Sequence, residues 1–255
     1  MSASVGLKSR LASGATCLGG WVTLGCDAIA EVMCDAGFDW IGIDLEHSTQ
    51  TLAVAESLIR VVDAKGKAPL VRLSRNDPSE IAKVMDAGAH GVIVPRAKGR
   101  ADAEAAWQAM HYPPEGKRGV GLARAQGYGA RFAEHREWLT SSSILIVQIE
   151  VAEVLDELDD LFAFPGVDGY MLGPYDLSAS LGVAGQLDHP DVVDAAGRAL
   201  AAAKKHGRAA GIHVVEPDLA ALRARLGEGY RFVAYGVDFR MIDAACREGV
   251  RVAGG

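Results

Sequence analysis

No stretch of about 18 consecutive apolar residues occurs in the chain, so no membrane-spanning helix is read from it. The opening run Met1-Ser2-Ala3-Ser4-Val5-Gly6-Leu7-Lys8 lacks the apolar core of a secretory signal. Cysteine is scarce. Cys17, Cys26, Cys34 and Cys246 form no CxxC pair, which argues for buried free thiols over a disulfide frame. These absences make the cytoplasm the expected location. Positive charge is also in deficit: 26 Lys and Arg against 33 Asp and Glu leave a net charge of −7. Nucleic acid and acidic membranes call for basic patches, so neither is an expected partner. The one close basic cluster, Lys204-Lys205-His206 with Arg208, reads as the end of a helix, where cations suit the dipole.

What is present is a chain of 255 residues, 49% hydrophobic and 23% charged, in the ordinary range for a globular protein. Short apolar runs alternate with amphipathic stretches. Strands are read near Cys17–Trp21, Trp40–Asp44, Pro69–Leu73, Val92–Pro95, Ile144–Ile149, Tyr170–Leu172, Ala210–Val214 and Phe232–Tyr235. Their nearly unbroken apolar character fits parallel strands covered on both faces. Helices are read over Thr51–Ala64, Pro78–Ala87, Ala101–Met110, Val151–Leu161, Pro190–Lys205 and Leu219–Leu226. A weak motif of glycine followed by a strand recurs at Gly37, Gly88, Gly166 and Gly229, read as a left-handed glycine ending each preceding helix. Eight strands with this alternation predict one (β/α)8 TIM barrel over residues 1–255, a size usual for that fold. From Arg96 to Ser143 the connection is long, and an excursion of that length is usually functional or forms an interface.

Barrel chemistry sits at the C-terminal ends of strands. Strand two ends in Asp44-Leu45-Glu46-His47, strand three in Arg72, and strand five in Gln148-Ile149-Glu150; strand six runs into Gly173-Pro174-Tyr175-Asp176, and strand seven holds His213. Glu150 and Asp176 are oxygen donors on adjacent strand ends, suited to a hard divalent ion, although each alone could equally start a helix or cap it. His47 reads as a general base or as an ordinary loop histidine. Arg72, inside an apolar strand, needs an anion: either Asp44 or Glu46, or a substrate carboxylate or enolate. Gln148 could orient a ligand or fill the barrel, and His213 reads as a satisfied core histidine. No lysine stands clearly at a strand top, so a Schiff-base aldolase is disfavoured. Only His47 and His213 approach the mouth, too few for a three-histidine zinc site. Acids after strands seven and eight, Glu216 and Asp238, argue against a bound phosphate there.

Through Ala36-Gly37-Phe38-Asp39-Trp40 to Asp44-Leu45-Glu46-His47, then Gln148-Ile149-Glu150, Gly173-Pro174-Tyr175-Asp176-Leu177-Ser178 and Tyr112-Pro113-Pro114 to Gly121, the chain resembles the metal-dependent pyruvate aldolases. That family includes 2-dehydro-3-deoxyglucarate aldolase and 4-hydroxy-2-oxoheptanedioate aldolase. The resemblance implies a barrel whose last helix is swapped with a neighbour, in a homo-oligomer such as a trimer or hexamer. It implies that Glu150 and Asp176 hold a divalent metal (Mg2+, Mn2+ or Co2+) chelated by pyruvate. Gln148 and the backbone of Gly173, Pro174 and Tyr175 would contact the pyruvate. His47 would act as base through a metal-bound water, Arg72 would stabilise the enolate, and Asp86 would raise the basicity of a neighbouring subunit's histidine. The chain departs from the usual pattern at Ser74-Arg75-Asn76, Arg96, Tyr175 and Gly121 to Gly129, on the aldehyde side more than the pyruvate side.

The expected activity is therefore cleavage or formation of 4-hydroxy-2-oxo acids, with pyruvate as enolate donor and an aldehyde as acceptor. Two alternatives stand beside it. One is a carbon–carbon lyase of the citrate lyase beta type acting on a CoA thioester. The other is a non-catalytic barrel that binds a 2-oxo acid.

Overall fold

The computed structural model describes residues 2–254. Eight strands close into a barrel in sequence order: β1 Cys17–Val22, β2 Trp40–Asp44, β3 Ala68–Arg72, β4 Gly91–Val94, β5 Ile144–Ile149, β6 Gly169–Leu172, β7 Ala209–Val214 and β8 Phe232–Val237. Every neighbouring pair is parallel, and β1 closes on β8 through Cys17↔Phe232 and Leu18↔Val233. This is the (β/α)8 architecture that the alternation of strands and helices predicts.

Strand period two sorts the side chains. Ile41, Ile43, Val71, Leu145, Val147, Ile149, Ile212 and Val233 pack outward into the layer shared with the helices. Trp40, Leu70, Ile144, Ile146 and Phe232 point inward. Inside the barrel, Trp40 stacks on Phe232 at 4.3 Å and meets Trp21 edge-on at 6.1 Å. Glycine makes room for both indoles: a side chain at Gly19 would collide with Trp40, and one at Gly42 would lie 2.6 Å from Trp21. A helix that the periodicity does not predict, α1 Ser2–Ala12, adds Leu7 and Leu11 to the same interior cluster. One end of the barrel is thereby closed by apolar packing, which leaves the C-terminal end for polar groups.

Around the barrel lie α2 Asp27–Asp35, α3 Leu52–Ala64, α4 Pro78–Ala87, α5 Arg100–Met110, α6 Phe132–Ser142, α7 Leu158–Ala163, α8 Pro174–Ser180, α9 Pro190–Lys205, α10 Leu219–Glu228 and α11 Asp238–Val252. Asp77 caps α4 by accepting from the N–H groups of Ser79 and Glu80 at 2.8 and 3.0 Å. The helix expected over Val151–Leu161 divides into a 3-10 turn, Ala152–Asp156, followed by α7. Gly37, Gly88 and Gly229 take the left-handed conformation, with φ of 105°, 103° and 108°. Gly166 does not. There the missing side chain matters for space, because a Cβ would lie 2.5 Å from Phe164 and 2.6 Å from Trp107.

Two segments extend beyond this frame. The excursion after α5 carries a 3-10 turn at Arg124–Gln126 and α6. Arg118 anchors it, buried over the Tyr112 ring at 4.7 Å and ion-paired to Asp86. The final helix, α11, is tied down at its start, where Asp238 accepts from the N–H groups of Thr23 and Leu24 at 2.8 Å each. Beyond that point, Phe239, Ile242, Val250 and Val252 remain exposed.

Candidate active site

The inward parity of the strands brings Asp44, Arg72, Gln148, Glu150 and His213 to the open end of the barrel. Asp44 and Arg72 are cross-strand partners in the β2–β3 register. Arg72 grips Asp44 bidentately, Nε to Oδ1 at 2.9 Å and a terminal nitrogen to Oδ2 at 2.6 Å. Asp44 Oδ1 also accepts from the backbone N–H groups of Glu46 (2.9 Å) and His47 (3.2 Å), so one carboxylate shapes the whole turn after β2. Burial alone would raise the Asp44 pKa, but Arg72 and these donors reverse the effect and hold it below the ordinary value. In this structure the anion that Arg72 meets is the Asp44 and Glu46 pair, held by the arginine. Its fork rests on Asp44, while its outer nitrogen stands 3.5 Å from Glu46 and its face lies 4.6 Å over Trp21.

On the opposite wall, Glu150 follows β5 and is nearly fully buried. Its Oε1 accepts from the backbone N–H of Arg96 at 2.6 Å, and its Oε2 accepts from Gln148 Nε2 at 2.8 Å. Arg96 reaches it from a left-handed backbone, φ 53°, which is uncommon for a residue with a side chain. A side chain at Gly173 would lie 2.8 Å from Glu150 Oε2, so glycine there lets the β6 end pass over the carboxylate. Asp176 follows in the first turn of α8 and is solvent-exposed at the mouth.

These acids act on one another. Burial pushes the Glu150 pKa up to about 7, and repulsion from Glu46 and Asp176 adds to it against the pull of the Arg96 N–H and Arg72. Burial likewise takes Glu46 up to about 7; Arg72 opposes the shift, while Asp44 and Asp176 reinforce it. Two buried acceptors at this end, Glu46 Oε2 and Gln148 Oε1, have no hydrogen-bond partner. Among the groups that set these shifts, four carboxylates (Asp44, Glu46, Glu150 and Asp176) face two arginines, Arg72 and Arg96.

A cavity of about 500 Å³ opens between these walls. His47, Arg72, Gln148, Gly173, Pro174, Tyr175 and Asp176 line it, together with His213. Glu150 lies just beneath the lining, behind Gln148. His47 projects outward with its ring Nε2 3.7 Å from Glu46 Oε2. His213 donates from Nε2 to the Gly236 carbonyl at 3.2 Å, and burial depresses its pKa to about 4. Asp86 is not among these residues; it sits on α4, bonded to Arg118, and lines a separate hollow between α3 and α4. Among the described residues, no group of three or more His, Cys, Asp or Glu is clustered tightly enough to enclose a metal ion.

Three contributors escaped the sequence reading. Trp21 lines the cavity and braces Arg72, and the inward parity of β1 was its only signal. Glu46 was considered only as a partner for Arg72, whereas it also belongs to the acid cluster. The backbone N–H of Arg96 carries no side-chain signature at all.

The closed parallel barrel and a polar cavity at its C-terminal end define an enzyme-type (β/α)8 barrel whose acids and one braced arginine face a small ligand space. Residues 18–245 match the profile of the HpcH/HpaI aldolase/citrate lyase family. A hydroxypyruvate/pyruvate aldolase from Roseovarius nubinhibens is 36% identical, over 94% of this chain and 93% of that protein. A 4-hydroxy-2-oxo-heptane-1,7-dioate aldolase from Escherichia coli is 35% identical, over 93% of this chain and 90% of its own length. The crystal structure of an HpcH/HpaI aldolase/citrate lyase family protein from Burkholderia cenocepacia superposes with a TM-score of 0.92 at 35% identity, covering 98% of this chain and 99% of that one. The chain belongs to the HpcH/HpaI aldolase/citrate lyase family, whose named aldolases are carbon–carbon lyases.

Proposed function

We propose that this protein is a divalent-metal-dependent aldolase that cleaves or forms 4-hydroxy-2-oxo acids, with pyruvate as the enolate donor and an aldehyde as the acceptor. The observation that carries this reading is that Glu150, Glu46 and Asp176 lie within electrostatic range of one another at the barrel mouth, beside a cavity lined by an arginine, a histidine and Asp176 itself. The donor set is all oxygen, which suits Mg2+, Mn2+ or Co2+, and the Glu150 and Glu46 carboxyls stay raised despite Arg72 nearby, a repulsion that a dication would relieve. Glu150 and Asp176 would hold the ion. When bound, it supplies Lewis acidity toward the 2-oxo acid.

The chain's own groups have distinct tasks. His47, exposed at the rim, takes the proton from the C4 hydroxyl in cleavage and returns it in synthesis. Arg72 faces the negative charge that develops on the pyruvate half, and Asp44 fixes its position in advance. One N–H of Gln148 is engaged by Glu150, and the other remains for the pyruvate carboxylate alongside the backbone of Gly173, Pro174 and Tyr175. Asp86 lies too far round the helical layer to reach this histidine, so we assign its role to the mouth of an adjacent copy. The exposed apolar residues of α11 support the same reading of a homo-oligomer in which a second copy covers that helix.

The test is cleavage of a 4-hydroxy-2-oxo acid before and after chelation. Activity lost on chelation and restored by Mg2+, Mn2+ or Co2+ supports the proposal. Activity that survives chelation, with an adduct trapped by borohydride, would place the enzyme in the lysine class instead. Turnover of malyl-CoA in preference to the 2-oxo acid would favour the citrate-lyase-type alternative.

A further inference from the structure

A second concavity lies outside the barrel, against α3, the turn before β4, the 3-10 turn Arg124–Gln126 and α6. Its volume is about 380 Å³. Arg60, Arg124 and Arg131 line it with His90 and His135, and the one acid of the lining is Asp63. In a chain of net charge −7 this is a local excess of positive charge. Asp63 is already engaged by Arg124 at 2.7 Å and His90 at 3.1 Å.

Two features go beyond charge. First, His135 is only 2% exposed, and neither of its ring nitrogens has a hydrogen-bond partner. Trp138 stacks beside the ring at 5.7 Å, and Tyr112 meets it at a steep angle at 6.2 Å. A buried imidazole always carries at least one N–H, and an unmet donor costs about 1–3 kcal/mol. Second, the cavity is lined by an uncommitted arginine. Arg131 makes no ion pair among the described residues, and it lies across Gly127, where a Cβ would sit 2.9 Å from its Nε. Arg124 lies closer still against Gly88 and donates to the Ala87 carbonyl at 3.0 Å. Burial, with Arg118 and Arg131 nearby, depresses the His135 pKa to about 4, a field that an anion would relieve.

We propose that this cavity binds a small oxyanion, a phosphoryl or carboxylate group, with Arg131 and Arg124 at its rim and the ring edge of His135 at its floor. Charge-assisted hydrogen bonds from a guanidinium fork and a buried ring donor are the usual means of holding such a group. The site is separate from the barrel mouth and shares no lining residue with it.

The experiment is a titration of the full-length protein with inorganic phosphate and, separately, with malonate. It is followed through the histidine ring resonances, assigned by single His→Gln substitutions. The expected result is a saturable shift of the His135 resonance with at least one of the two anions, weakened about tenfold in Arg131→Ala. Arg131 is exposed, so this variant should fold, which an unchanged melting temperature without anion would verify. Saturation by phosphate alone assigns a phosphoryl ligand, and saturation by malonate alone assigns a carboxylate. The proposal is overturned if neither anion saturates, if only the His47 and His213 resonances at the mouth respond, or if Arg131→Ala binds as tightly as the parent.

Discussion

The barrel mouth and the cavity beneath α6 are opposites built by the same means. At the mouth, burial and mutual repulsion push two carboxyls, Glu46 and Glu150, up to about 7. In the outer cavity, burial and nearby arginines push His135 down to about 4. Each place keeps buried polar atoms without partners: Glu46 Oε2 and Gln148 Oε1 in one, both ring nitrogens of His135 in the other. Desolvation penalises whichever charge the local residues carry, and this underlies the proposals of a cation at the first region and an anion at the second. The lesson is that an unmet buried group, with its sign, describes the guest more directly than cavity size, since the two volumes are similar.

The sharpest way to break the mouth's side of this contrast is Arg72→Ala. It strands the buried Asp44 carboxylate and, on the proposed role, removes the cation that would face the nascent enolate. Stability should fall by roughly 3–5 kcal/mol in a denaturant melt, and the rate by about 100-fold or more in a cleavage assay. A variant that melts and turns over like the parent would refute the role given to this pair. His47→Ala should lose about 10²–10⁴ in rate but little stability, because the ring is largely exposed; pyruvate affinity, measured by calorimetry, should be retained. If pyruvate binding vanished with the rate, His47 would be a binding group and not the base.

Gly173→Ala probes the cation site without touching a charge. Its new Cβ would press on Glu150, so about 1–3 kcal/mol of stability should be lost and the metal requirement should rise, as read from activity against Mn2+ concentration. The smallest effect concerns pH and the outer cavity. His135 and His213 have folded pKa values near 4, against 6.5 for an unstrained imidazole. Below 6.5 the unfolded chain takes up protons at these two sites more readily, so their contribution to stability is fully present above that pH and is lost as pH falls toward 4. The contribution of the raised Glu46 and Glu150 is opposite in sign. His135→Gln should flatten part of this slope, by on the order of 2 kcal/mol across the window. An unchanged slope would mean that His135 is not held neutral by its surroundings.

Asp44, Arg72, Gln148 and Glu150 could be found in the sequence because they interrupt apolar strands at their C-terminal ends with the spacing of one strand face. Glycine before a strand was legible at Gly88 and Gly229 for the conformation it permits, and was misleading at Gly166, where it answers to space. Helix α1 carried no equivalent signal, because it has almost no amphipathic pattern and is recommended by its contact with the barrel interior, whereas α11 is strongly amphipathic and was legible as a helix. The same holds for Trp21, which gains its place through Arg72, and for Arg96, whose backbone reaches Glu150 across 54 residues.

The order of the eight strands, the inward-facing polar residues at strand ends and the family itself were determined by the sequence alone. The first two rest on local periodicity and the third on short motifs, which a stretch of chain displays without its neighbours. The tertiary structure decided which charges meet, which of them remain uncompensated, and that a second, basic cavity exists. These depend on closing the barrel, since burial and mutual distance set the electrostatics, and neither is defined until residues far apart in sequence are packed together.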